Sequence, residues 1–181
     1  MTEIDFRILD FIREKLSNGF FDFVMPKLTA VGNVGFIWIF VAAAMLISRK
    51  YRRNGLELAA GLVGCTLVGN LLLKNLIARQ RPCWINDTIE LLIAVPKDYS
   101  FPSGHTMASF AAAAIILHAN KRLGIAAYIL ATVIAFSRLY LYVHFPTDVL
   151  AGAVIGTVIG IAVCAFSKKI FPQKELHDAE K

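Results

Sequence analysis

Five apolar blocks limit what this chain can fold into more than any other feature: residues 34–48, 56–77, 103–117, 123–136 and 149–166. A helix needs roughly 20 residues to cross a hydrocarbon core. Several blocks are shorter, but flanking residues can be drawn into each, so all five are read as spans. The expected fold is all-α, a polytopic membrane helical bundle. Of the 181 residues, 57% are hydrophobic and 18% charged, where a soluble domain carries about a quarter charged residues. The net charge of +6 does not point to nucleic acid. Most cations flank apolar blocks, as topology signals do, and no basic stretch is interleaved with aromatics.

Residues 2–31 read differently. Ile4, Ile8, Phe11 and Ile12 recur at helical spacing, and Asp5, Arg7, Asp10, Arg13, Glu14 and Lys15 fill positions between them. Each such charge would cost several kcal/mol at a bilayer centre (about 2.5–3.5 on insertion scales). "SNG" at 17–19 breaks the pattern before an aromatic-rich stretch. The expectation is one or two amphipathic helices in the interface over 1–33, then a transmembrane core over 34–167 and a polar tail over 168–181. A sixth span in the N-terminal region is the alternative.

Loop charges set orientation. Arg49, Lys50, Arg52 and Arg53 follow the first block, Lys121 and Arg122 follow the third, and the tail opens "SKKIFPQK". The positive-inside rule makes these cytoplasmic. The loop around 78–102 and the segment 137–148 then share the opposite face, together with the N-terminal helices. The N-terminus is acidic and mixed, unlike a cleavable signal peptide. Cys65, Cys83 and Cys164 lack metal-ligand spacing.

Three polar clusters fall on that outer face. "KNLIARQRP" carries Lys74 and Arg81, with Pro82 stopping the helix. "FPSGHT" opens the third span: Ser103 offers a hydroxyl, Gly104 allows close approach, and the free N–H groups of a helix start suit an anion. His105 there titrates near neutrality. "SRLYLYVHFPTD" carries Arg138, His144 and Asp148. Each has an ordinary reading: a snorkelling lysine, a capped helix start, a helix-start acid. Arg138 fits one less well, because arginine near a span must be paired or solvated. Together, three cations and a helix start suit a tetrahedral dianion. His144, oriented by Asp148 four residues on, suits in-line attack on phosphorus, and His105 suits protonation of the departing oxygen. Side chains alone could supply the charge neutralisation. Asp87, Glu90 and Asp98 form no ligand pattern with histidine, so neither metal nor cofactor is expected.

Lys74-x6-Arg81-Pro82, Pro102-Ser103-Gly104-His105 and Ser137-Arg138-x5-His144-x3-Asp148 resemble the three-part signature of the type 2 phosphatidic acid phosphatase superfamily, over about residues 56–166. The resemblance implies a metal-independent, integral-membrane phosphatase acting on a lipid monophosphate or diphosphate. Phosphatidylglycerophosphate, phosphatidic acid, undecaprenyl diphosphate and lipid A phosphates are all within its range. It implies that Lys74, Arg81, Arg138, Ser103 and the Gly104 N–H bind phosphate. His144 would form a phosphohistidine, oriented by Asp148, and His105 would be the general acid. Several undecaprenyl diphosphate phosphatases carry Asp at the position of Gly104, which counts against that substrate. The expected setting is a bacterial inner membrane with the site facing outside; oligomeric state is unreadable. Alternatives are a membrane serine hydrolase using Ser103, His144 and Asp148, a small transporter subunit, and a vanadium peroxidase. The run "IELLIAVP", 89–96, is expected to form an interfacial flap that admits a lipid chain.

Overall fold

The computed structural model describes residues 2–32 and 35–170. Among them there is no strand. The chain runs α1 (Thr2–Leu16), α2 (Gly19–Val31), α3 (Phe36–Ile47) and α4 (Arg52–Cys65), which widens into a π-helix (Thr66–Leu73) and ends in α5 (Lys74–Ile77). The short α6 (Pro82–Ile85), then α7 (Gly104–Ala119), α8 (Lys121–Tyr140) and α9 (Pro146–Ile170) follow. Among the described residues, Arg52–Ile85, Lys121–Tyr140 and Pro146–Ile170 are long and apolar enough to cross a membrane. Gly104–Ala119 is apolar and shorter, and α2 with α3, bent by 47°, passes only as a pair, as a broken span or a re-entrant loop. Residues 19–31, expected in the interface, therefore form half of a bent pair. The expected boundary at 33/34 and residues 171–181 of the tail lie outside the described residues, while Lys168 and Lys169 belong to α9.

α7 is the central helix. Ala111, Ala112, Ala113 and Ile115 are fully buried, because α4, α8 and α9 surround it. Its contact with α9 is set by Gly152, Gly156 and Gly160, one helical turn apart. A Cβ on them would come within 2.7 Å of Ser103 O, 2.1 Å of Met107 O and 2.7 Å of Ala111 O. Only glycine permits that approach, as in other small-residue contacts between membrane helices. The opposite face of α9 presents Leu150, Val154, Val158 and Ile161, each about 60% exposed, which suits lipid.

The helix bundle has two polar ends. At one, Asn120 Nδ2 donates to Tyr51 Oη at 3.3 Å, joining the two cationic loops. At the other, the segments around 79–81 and 143–148 meet. α1 packs on this second end through Leu9, which joins Tyr142 and Phe145 in one cluster, and through Ile12 in another. The inward face of α1 thus differs from the one its apolar spacing marked. Ile4 and Phe11 are 65% and 60% exposed, and Asp5 is buried.

Candidate active site

Five elements deliver the site. The π-helix bonds residues five apart where an α-helix bonds residues four apart, a feature that gathers at functional sites. Lys74 leaves its end buried against the protein. Ala78, in the left-handed region at φ 48°, closes the helix and turns Arg79 and Arg81 back over the bundle. α7 begins at Gly104, so His105 lies in its first turn. Arg138 is in the last turn of α8 and Asp148 in the first turn of α9. Tyr142, at φ 57°, reverses the chain between them and brings His144 inside.

These residues enclose a cavity of about 380 Å³ lined by Lys74, Arg81, Gly104, His105, Arg138 and His144. Pro26, Thr29 and Ala30 of α2 and residues 93–96 of the loop complete it with a mostly apolar flank. Two segments more than 60 residues apart therefore converge, as the topology required. Arg81 Nη1 donates to Val143 O at 2.7 Å and lies 3.0 Å from His144 Nε2. Arginine only donates, so Nε2 is the acceptor and the ring proton sits on Nδ1. Burial, then the charges of Arg81, Arg138 and Lys74, hold His144 well below the usual histidine pKa. A buried neutral imidazole with a lone pair facing a cationic cavity is the form a nucleophile needs.

Asp148 is fully buried. Its Oδ2 lies 3.7 Å from His144 Nδ1, beyond hydrogen-bond reach, in place of the direct bond its spacing suggested. Ser100 Oγ bridges them, donating to Oδ2 and lying 3.5 Å from Nδ1. Ser103 is also placed differently from expectation. Its hydroxyl pairs with Thr106 Oγ1 at 2.9 Å, and it does not line the cavity. That leaves the serine-hydrolase alternative without a presented nucleophile.

Four contributors carried no sequence signal. Arg79 donates to Asp148 Oδ1 at 2.6 Å and to Asp5 Oδ2 at 2.8 Å. Thr29 Oγ1 accepts from Arg138 Nη1. Ser100 bridges the His144–Asp148 gap. Asp98, set aside as a leftover acid, bonds to Lys74 and Arg81. Burial opposes its charge, but those two cations outweigh it and hold the carboxyl below the usual range. In the run 89–96, Leu91 and Ile93 pack against the core clusters, and Ile93, Ala94 and Val95 also line the cavity.

Fold and site together define a helical membrane protein with a histidine and three cations around an anion-sized cavity at one end. The chain belongs to the PAP2 superfamily, whose family model matches residues 54–172. It is 35% identical over 125 residues to an undecaprenyl-diphosphatase of Sulfolobus acidocaldarius, covering 68% of this chain and 60% of that protein. It is 30% identical over 160 residues to the undecaprenyl-diphosphatase BcrC of Bacillus subtilis, covering 88% and 81%. The transmembrane PAP2 type phosphatidylglycerolphosphate phosphatase of B. subtilis superposes with a TM-score of 0.78 at 28% identity, over 95% of this chain and 88% of that one.

Proposed function

We propose that this protein is a metal-independent lipid phosphatase acting at the extracytoplasmic face of a bacterial inner membrane. The observation that carries the reading is His144: buried, its Nε2 accepting from Arg81 at the edge of a cavity that Lys74, Arg81 and Arg138 share. The three cations bind the phosphoryl oxygens, with the Gly104 N–H beside them. As Arg81 passes to a phosphoryl oxygen, His144 Nε2 is freed and attacks phosphorus in line. The P–O bond to the lipid breaks, and His105 gives its proton to the departing oxygen. Asp148, through Ser100, compensates the charge that builds on the imidazole. Water then attacks the phosphohistidine, with His105 now taking the proton, and inorganic phosphate leaves. The apolar flank formed by α2 and residues 93–95 suits the first methylenes of a lipid chain. The relatives' names favour lipid diphosphates and phosphatidylglycerophosphate as first substrates to test. With α2 and α3 counted as one of five crossings, the positive-inside rule favours the cationic loops in the cytoplasm.

Purified protein should release phosphate from at least one of phosphatidylglycerophosphate, phosphatidic acid, undecaprenyl diphosphate and a lipid A phosphate, with chelator present. His144→Ala should abolish turnover, and rapid quenching with labelled substrate should leave an acid-labile label on His144. Label on another residue, or full activity of the variant, would refute the assignment.

A further inference from the structure

Asp98 has no task in that reaction. Its carboxylate nevertheless takes two of the three cations, Lys74 Nζ on Oδ2 and Arg81 Nη2 on Oδ1, the latter at 2.8 Å. Its two oxygens lie where two oxygens of a bound phosphoryl group would find the same donors. The loop backbone is pinned, since Asp98 O accepts from Arg81 Nε at 2.7 Å and Ser100 N donates to Arg79 O at 2.8 Å. The Asp98 side chain is itself 56% exposed, so a rotation about its own bonds vacates the seat without moving the loop. Arg138 is buried at 4% exposure, and its Nε has no hydrogen-bond partner among the described residues. One donor therefore waits for an anion while the other two are held by an internal one.

We infer that Asp98 is an internal competitor that occupies the phosphate seat at rest, so that only an anion bound strongly enough to displace its carboxylate enters, and the weakly held phosphodiester headgroups of the surrounding bilayer stay out. The inference rests on the phosphatase reading for the kind of ligand. Lys74, Arg81 and Arg138 against Asp98 leave a formal charge of two on the occupied cradle. A phosphodiester carries one negative charge. By displacing Asp98 it exchanges one monoanion for another, and it brings fewer free oxygens to the donors. A terminal phosphomonoester carries about −1.5 to −2 at neutral pH and three free oxygens, so it gains where the diester only breaks even. Either ligand must displace Asp98, so the rival weakens both by the same factor: charge and oxygen count set the order of the two, and Asp98 sets how much affinity an anion needs to enter at all. Were the carboxylate absent, three desolvated cations would face a membrane crowded with monoanionic phosphates.

The test is equilibrium dialysis of the full chain in detergent at pH 7.5, with labelled inorganic phosphate and labelled dimethyl phosphate. Wild-type protein should bind phosphate at least about 10-fold more tightly than the diester, a gap of about 1.4 kcal/mol. Asp98→Asn should bind both more tightly and by a similar factor of at least about 10-fold, so that the diester, kept out of the wild-type cavity, now occupies it. Asp98→Ser should repeat the result. Weaker binding of both ligands in these variants would make Asp98 merely a positioning group and overturn the inference; so would unchanged affinity for both, or wild-type protein that binds the diester as well as phosphate. Because dialysis needs no turnover, binding with the expected preference but without phosphate release from any lipid would sink the phosphatase reading and leave this one standing.

Discussion

Asp148 and Asp5 are almost wholly buried, and Arg79 reaches both, with its guanidinium 4.1 Å over the Phe145 ring. Removing one partner of a buried ion pair strands the other charge and costs about 3–5 kcal/mol. Arg79→Met should therefore lower the melting temperature in detergent sharply and cut kcat through a misplaced Asp148. Arg79→Lys, which cannot fork between two carboxylates, should recover part of the stability and less of the kcat. A second expectation concerns protonation. Burial and the Arg81 charge disfavour the imidazolium of His144, so the neutral ring persists to lower pH than usual. An NMR titration of histidine side chains should find the His144 midpoint below the ordinary value of about 6.5, and Arg81→Gln should move it upward. The motif residues were legible because each sits at a fixed spacing in a polar interruption of an oily chain. Arg79, Ser100 and Asp98 sit in the same interruptions without any spacing that marks them. Their partners lie 17 to 74 residues away, a distance no local pattern spans.

At the scale of elements, the glycine stripe of α9 sets the distance between the helix that carries His105 and the helix that carries Asp148. Gly156→Ala would push a methyl group to 2.1 Å from Met107 O. Backbone cannot give way as a side chain does, so the helices must separate. Overpacking of well-filled cores costs about 1–3 kcal/mol, and a backbone clash should reach the upper end. Thermal unfolding should show that loss. Gly64→Ala, whose added carbon would meet Ile159 at an ordinary 3.4 Å, should leave the melting temperature nearly unchanged. Length and apolarity were enough to find α4, α7, α8 and α9 from sequence. Which face turns inward was not readable, because lipid and protein interior are both apolar and the usual amphipathic contrast vanishes. In α1 the contrast exists but misleads: its buried face holds Asp5 as well as Leu9 and Ile12, and an acid that pairs inward looks like a solvated one.

Taken whole, the molecule separates its polar ends. The cationic end also holds a buried acid, Glu57, which Asn54 Nδ2 meets at 2.9 Å and Arg53 at 3.3 Å. The opposite end holds the cavity. A membrane-impermeant maleimide should therefore label Asp87→Cys in intact cells and label Lys121→Cys only after lysis. Cys65, Cys83 and Cys164 are all buried and should contribute little background. The reverse pattern would invert the proposed orientation. Sequence reasoning saw the two ends through loop charges alone, but not that α1 closes over one of them. That closure governs when the protein comes to life. Asp5 receives hydrogen bonds from Thr147, 142 residues further on, so the seat of an early-synthesised helix is completed only when the last one emerges from the ribosome. Contacts this distant form late and slowly, and a nascent chain interrupted before α9 lacks both Asp148 and the Thr147 groups that fix Asp5.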